Sequence, residues 1–307
     1  MKLDEGAAGG AGHEARLVRS HGDGWNGSLR LELARDARGT SRLMRSQHEG
    51  PLRVQRPFYP EGTGGACHVY VLHPPGGVVD GDTLSLEVEL RAGASALLTA
   101  PGASKLYRAR TSASRAGSAN QAIGARLAQT FRVAAQATLE WLPHETIVFD
   151  GARARVRTRV ELAEGATYAG WELLCLGRPA CGERFTHGEL ESELSLSRAG
   201  KLVYLERGRY RGGEALLEAP WGLRGLPVWG TMILAAPSVQ AGWVEALREQ
   251  LATEQGTFAV TLVSGVLVLR FLGSSTREGR SLFERALAVL RPLYAGRPAV
   301  HPRIWST

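Results

Sequence analysis

The feature that most limits what this chain can become is a period-two alternation of apolar and polar residues that keeps returning from Ser28 to Leu272. Leu29, Leu31 and Leu33 alternate with Arg30, Glu32 and Ala34 before a turn at 36–39. Leu84, Leu86, Val88 and Leu90 repeat the pattern, and Arg91-Ala-Gly93 turns the chain into 94–99. Successive side chains of a strand point to opposite faces, so each such run reads as a half-buried strand. Further strands are expected at 69–72, 129–133, 146–149, 168–174, 190–196 and 202–206, and at 258–272 with a break at Ser264-Gly265. Helical spacing appears only late, at 239–252 and 281–295. In the second, Ser281 with Glu284 reads as a capping box, and Gly296 followed by Pro298 as the stop. Strands first and helices afterwards predict a mainly β fold: an elongated, many-stranded scaffold of β-helix-like or sandwich-like layers with two C-terminal α-helices. No repeat of fixed length is present, so a regular solenoid is not expected.

A chain of 307 residues fits one large β domain or two ordinary ones. Residues 1–24, rich in glycine, alanine and charge, read as a disordered or loosely attached tail, and 25–307 as a single β domain carrying the helices. Residues 109–121 hold no large apolar side chain and are expected to form a mobile loop. Three cysteines fit a reducing compartment rather than a disulfide scaffold. Neither a secretory apolar core nor a membrane-length apolar run is visible, so a cytoplasmic protein is expected. The net charge of +7 suits an acidic partner or a nucleic-acid backbone and decides neither.

One stretch concentrates that charge. Arg153, Arg155, Arg157 and Arg159 share one face of a strand whose other face is Ala154, Val156, Thr158 and Val160. Like charges so placed call for carboxylates nearby. Either the face is solvated with glutamates on adjoining strands, or it docks an acidic partner or a nucleic acid.

Residues 48–108 carry most of the turn-borne polar groups: Arg53, Arg56, His73, Asp82, Lys105 and Arg108 sit among prolines and glycines that fix the backbone. Cys67, His68 and His73 admit a Cys/His-dependent hydrolase, but adjacent residues on a strand point apart, and no Gly-x-Ser-x-Gly elbow is present. A closed zinc site would need Cys-x-x-Cys or paired histidines, which are missing. Cys175 and Cys181 read as small buried hydrophobes. The glycine-rich 76–81 and the Thr99–Lys105 stretch lack Walker spacing, and the high basicity comes without a recognised nucleic-acid module. What remain are turn-borne groups able to pass a divalent ion weakly from one to the next: Asp82, Asp150, Glu183, Glu140 and Glu145, alongside His73.

The ordered phrases Gly50-Pro-Leu-Arg-Val-Gln-Arg-Pro-Phe-Tyr-Pro60, His73-Pro-Pro-Gly-Gly-Val-Val, Gly81-Asp82, Thr99-Ala-Pro-Gly-Ala-Ser-Lys105 with Tyr107-Arg108, Leu139-Glu-Trp-Leu-Pro143, Glu145-Thr-Ile-Val-Phe-Asp-Gly-Ala152, Gly170-Trp-Glu, Leu176-Gly-Arg-Pro-Ala180, Gly182-Glu183 and Pro302-Arg-Ile-Trp305 together resemble the urease accessory protein family UreD, called UreH in some bacteria. The resemblance runs from about residue 25 to the C-terminus. It departs from the family pattern at Asp80, where glycine is usual, at Ala100, where a second threonine is usual, and at His144, where glutamine is usual. It implies a helix-poor β fold and a non-enzymatic chaperone that inserts nickel into apo-urease. Such a protein would link urease to UreF and UreG, admit a dimer within a UreD–UreF–UreG complex, and pass nickel through an internal tunnel. No membrane or nucleic acid is implied. On this reading Asp82, Asp150, Glu183, His73 and Glu145 are expected to line the path or touch nickel in transit. Thr99, Lys105, Arg108, Arg53, Arg56 and Arg178 are expected to support them.

Overall fold

The structure, a computed structural model, describes residues 24–62, 64–109, 124–252 and 256–306. The chain winds back and forth between two sheets. β1 (Asn26–Arg35) and its antiparallel partner β2 (Ser41–Glu49) belong to the first sheet; β3 (Arg53–Val54) and β4 (Cys67–Leu72) belong to the second. β5 (Thr83–Leu90) returns to run parallel to β1, β6 (Ser95–Thr99) crosses to run parallel to β4, and β7 (Ser104–Leu106) forms a short third side. β8 (Ala125–Val133), β9 (Thr138–Trp141) and β10 (Thr146–Val148) repeat that circuit. β11 (Arg153–Leu162) and β12 (Thr167–Leu176) begin it again, and β13 (Glu189–Arg198) completes the parallel stack. The architecture is β-helix-like, as expected. Its circuits differ in length because turns of different size join the strands, which is why no fixed repeat is written in the sequence.

Antiparallel strands close both sheets. β14 (Lys201–Arg211) folds back on β13. After the short α1 (Ala215–Glu218), β15 (Val228–Ala235) pairs antiparallel with β12. α2 (Gly242–Gln250), the hairpin of β16 (Thr257–Val263) and β17 (Val266–Gly273), and α3 (Thr276–Ala295) complete the fold.

The first sheet has one face toward the core and one toward solvent, so its strands alternate in burial: Leu29, Leu31, Leu33 and Val88 are interior while Arg153, Arg155, Arg157 and Arg159 are exposed. The second sheet is covered on both faces. The first sheet packs on one side, and α2 and α3 pack on the other through Trp243, Leu247, Leu282, Phe283 and Leu290 against Trp171, Met232 and Phe271. Every residue of β15 is accordingly buried.

Two expectations need correction here. α3 starts at Thr276, five residues before the anticipated cap, so Ser281 is an interior helical residue, and Ser275 at the N-cap makes no side-chain capping bond. Packing overrides the local signal. Gly279 lies so close to the sheet that a Cβ there would stand 2.8 Å from Leu173 and the Phe271 ring, which extends the helix over the sheet. The C-terminal stop is as expected: Gly296 adopts φ 64 and donates its N–H to the Pro292 carbonyl at 3.1 Å. Secondly, Cys181 is exposed, whereas Cys67 and Cys175 are buried; Cys181 sits in a surface 3-10 turn (Pro179–Cys181) in which no residue is buried. Of the anticipated tail and the anticipated 109–121 loop, only Gly24 and Ala109 are among the described residues.

Candidate functional site: an interior cavity and polar seam

The two sheets do not close completely where the proline- and glycine-rich turns enter. A cavity of about 410 Å³ lies between them. Leu84, Leu86, Leu127 and Val156 wall it from the first sheet and Trp141 and Leu174 from the second; the turns contribute His73, Gly76 and Pro101, and β7 contributes Lys105. The rim is held by backbone and ring contacts. Val78 donates its N–H to the Lys105 carbonyl at 2.7 Å, and Gly77 sits under the Tyr107 ring so closely that a Cβ would stand 2.2 Å from it. Burial lowers the His73 pKa, opposed by the charge of Asp82. Its imidazole is therefore neutral and available as a ligand near pH 7.

The cavity floor is polar, and period-two geometry explains how. On β12, Tyr168, Glu172, Leu174 and Leu176 point between the sheets while Trp171, Leu173 and Cys175 point to the helices. Glu172 is thus a carboxyl group aimed into a hydrophobic interior. Thr158 of β11 donates its hydroxyl to Glu172 Oε1 and lies 3.3 Å from Gln129 Oε1 of β8. Burial raises the Glu172 pKa to about 7, against the Thr158 hydrogen bond and with further upward pressure from Glu206. The side chain stays partly accessible because the surface it shows is cavity wall.

The polar line continues beyond the cavity. Glu172 stands opposite Thr231 in the β12–β15 register, and Thr231 Oγ1 donates to Glu206 Oε1 at 3.0 Å. Glu206 accepts from Tyr204 and from Arg270, whose half-exposed guanidinium lies 3.0 Å away. Glu172 also lines the small recess on the far side, with Ser192, Glu206 and Thr231. A polar seam therefore crosses an otherwise apolar core, from His73 and Lys105 through Gln129, Thr158 and Glu172 to Glu206 and Arg270. Sequence reasoning missed Glu172 and Glu206. The available signal was a polar residue at an inward position of an otherwise apolar alternation.

Of the groups chosen from sequence, His73 and Lys105 line the cavity, and the others do not. Asp82 accepts from the N–H groups of Trp25 at 2.8 Å and Val79 at 3.0 Å, pinning the turn beside His73. Asp150 accepts from Thr186 N at 2.7 Å and His187 N at 2.8 Å and meets Arg108 at 3.3 Å. Glu183 is gripped by Arg178 through two 2.9 Å bonds, and the Arg178 guanidinium covers the Phe149 ring. Glu145 stands 4.0 Å from His144. Arg53 donates to the carbonyls of Gly50 and Leu52; Arg56 is exposed. Thr99 is fully buried, donating to the Leu142 carbonyl at 2.5 Å and accepting from Trp305 Nε1 at 2.8 Å. His144 does line the cavity; burial and Arg280 depress its pKa to about 4.

The Cys67–His68 pair forms no nucleophilic couple. Cys67 faces Tyr59 at 3.7 Å with its pKa raised by burial, while His68 turns the other way, its Nε2 2.9 Å from Glu61. Among the described residues no three His, Cys, Asp or Glu side chains converge to hold a metal ion, and no helix is long and apolar enough to cross a membrane.

Fold and site together define a helix-poor β scaffold with a cavity and a seam of polar contacts in its core. Residues 26–306 match the UreD urease accessory protein family. The urease accessory protein UreD of Azoarcus sp. (strain BH72) is 44% identical over 294 residues, spanning 96% of this chain and 98% of its own. Those of Pseudomonas putida (strain W619) and Methylobacillus flagellatus are 45% and 41% identical, spanning 94% and 92% of this chain and 96% and 95% of their own. The chain belongs to the UreD family of urease accessory proteins.

Proposed function

We propose that this protein is a cytoplasmic, non-enzymatic chaperone of urease maturation. It holds apo-urease next to UreF and, through UreF, UreG, and it passes nickel through its interior. The polar seam is the observation that carries this reading. The oxygen and nitrogen donors of the seam, His73, Gln129, Thr158, Glu172, Thr231 and Glu206, cost stability unless each is hydrogen-bonded, and they provide successive weak contacts for a divalent cation; Lys105 and Arg270 are cations themselves and offer it none. Imidazole and carboxylate suit nickel, and contacts that never reach three strong ligands at one point favour transit over storage.

His73 meets the cation at the rim, and Glu172 takes it in mid-core. Since the Glu172 pKa is raised to about 7 by burial, the carboxyl carries a proton about half the time near neutrality and exchanges it for an arriving cation. Asp82, Asp150, Glu145 and Glu183 shape the turns around this route, with Thr99, Arg108 and Arg178 behind them. Co-expression of the full set of urease genes tests the scheme. Affinity-tagged protein is expected to bring down UreF and urease, and urease made without it to lack nickel. Full nickel loading in its absence would refute the proposal.

A further inference from the structure

The outer face of the first sheet carries charge in three parallel rows. β11 presents Arg153, Arg155, Arg157 and Arg159. β13 sets Glu189, Glu191 and Glu193 opposite the first three of these. β14 sets Arg211, Arg209 and Arg207 on the far side of the same glutamates. Rows on neighbouring strands lie about 4.8 Å apart, within ion-pair reach. The glutamates are too few for both arginine rows.

The distances show how they are shared. Glu193 is held by Arg207 at 2.9 Å, Glu189 by Arg209 at 2.6 Å and Arg211 at 3.3 Å, and Glu191 by Arg155 at 2.5 Å. Hydrogen bonds from Arg209 and Arg211 hold the Glu189 pKa below the usual carboxylate range. Arg153, Arg157 and Arg159 have no ion pair among the described residues. Relief does not come from β8, which places Arg126, Ala128 and Thr130 opposite Arg155, Arg157 and Arg159; the next carboxylate, Glu161, is engaged by Arg132 at 3.1 Å. The sheet thus keeps an exposed row of cations whose nearest carboxylates are already taken.

We propose that the β11 arginine row is a docking surface for the acidic face of a partner protein in the urease-maturation assembly. This rests on the scaffold reading above and names a surface that reading does not use. Charge complementarity selects the occupant. Carboxylates spaced along a strand or helix of the partner can meet Arg153, Arg157 and Arg159, which alternate along β11; because Glu189, Glu191 and Glu193 are engaged by other arginines, this row is the part of the face that still needs counter-charge.

The test immobilises the full-length protein and measures capture of purified apo-urease and of the UreF–UreG pair, with a DNA duplex as a third probe. The variant carries Arg153→Gln, Arg157→Gln and Arg159→Gln; a control removes the same charge at exposed Arg38, Arg45 and Arg224. Three rim-type ion pairs predict about tenfold weaker capture of one protein partner at low salt. The difference should vanish near 1 M salt, where screening acts within about 3 Å. Melting temperature should be unchanged or higher, because repelling charges are removed. Unaltered capture of both partners, or equal loss in the control, overturns the proposal. So does a loss confined to DNA. Failure of the unaltered protein to capture either partner overturns the scaffold reading and this surface together.

Discussion

Two interior acids on opposite faces of the second sheet, Glu140 fully buried and Glu172 open to the cavity, have opposite fates. Glu140, on β9, points toward α3 and meets Arg291 in a bidentate pair at 2.7 and 3.0 Å; Tyr294 adds a third bond at 2.5 Å. Arg291 also reaches Glu61 Oε1 at 2.8 Å and the Pro298 carbonyl at 2.6 Å, and His68 Nε2 meets the same Glu61 oxygen at 2.9 Å. Burial alone would raise the Glu61 pKa, but His68 and Arg291 outweigh it and hold it at about 2. Glu172, on β12, points the other way, into the cavity, with one hydroxyl for a partner and a pKa raised to about 7. Burial of a carboxylate is therefore a poor guide to function on its own. Where the counter-charge is built in, the acid is a clamp. Where space and a neutral partner are left instead, it can accept a cation from outside.

Removing the counter-charge of the clamp should be the most damaging change to the fold. Arg291→Ala leaves Glu140 buried without its cation and should cost about 3–5 kcal/mol in chemical denaturation. Replacing both partners, Arg291→Met with Glu140→Leu, should recover most of that loss. If the single variant were as stable as the parent, the clamp would be decorative.

The pH dependence of stability separates the two environments next. A carboxyl raised from 4.5 to about 7 binds a proton on folding, so its contribution falls as pH rises between those values and is level on either side. His144, lowered from 6.5 to about 4, gives the reverse slope between 4 and 6.5, since the unfolded chain holds the extra proton. The two oppose each other near pH 5 to 6. Denaturation of Glu172→Gln across that range should therefore expose a stability that rises with pH. His144→Gln should expose the opposite trend. Matching profiles for the two variants would show that burial does not govern these groups.

Asp82→Ala should have the smallest effect. It removes the acceptor for the Trp25 and Val79 N–H groups, costing about 1 kcal/mol in melting experiments. Urease nickel should fall modestly as the turn beside His73 loosens. A cost near zero would show that the turn is held by backbone alone.

Much of this architecture was legible in the sequence, and the losses have physical causes. Strands of the first sheet declared themselves through alternation because they have one wet and one dry face. β15 was missed because its run from Val228 to Ala235 is buried on both faces and so does not alternate. β7 and β9 are too short to show a period. β2 escaped because seven of its nine residues, Arg42 and the run from Met44 to Glu49, are exposed at the edge of the sheet. The site was less legible than the fold. Turn-borne acids attract attention in a sequence, yet Asp150 and Glu183 spend their oxygens on backbone N–H groups and a guanidinium. Glu172, flanked by Trp171 and Leu173, reads as an ordinary polar step until its strand is known to be covered on both sides.

The central claim is that Glu172 carries a cation through the core. The most direct measurement is the nickel content of urease purified from cells in which the only change is Glu172→Gln, with the accessory complex recovered in normal amount and with normal melting behaviour. The amide keeps the size and the Thr158 contact but cannot become an anion. The account predicts severalfold less nickel per urease active site, with a still larger loss for Glu172→Leu. Full nickel occupancy in both variants would contradict it.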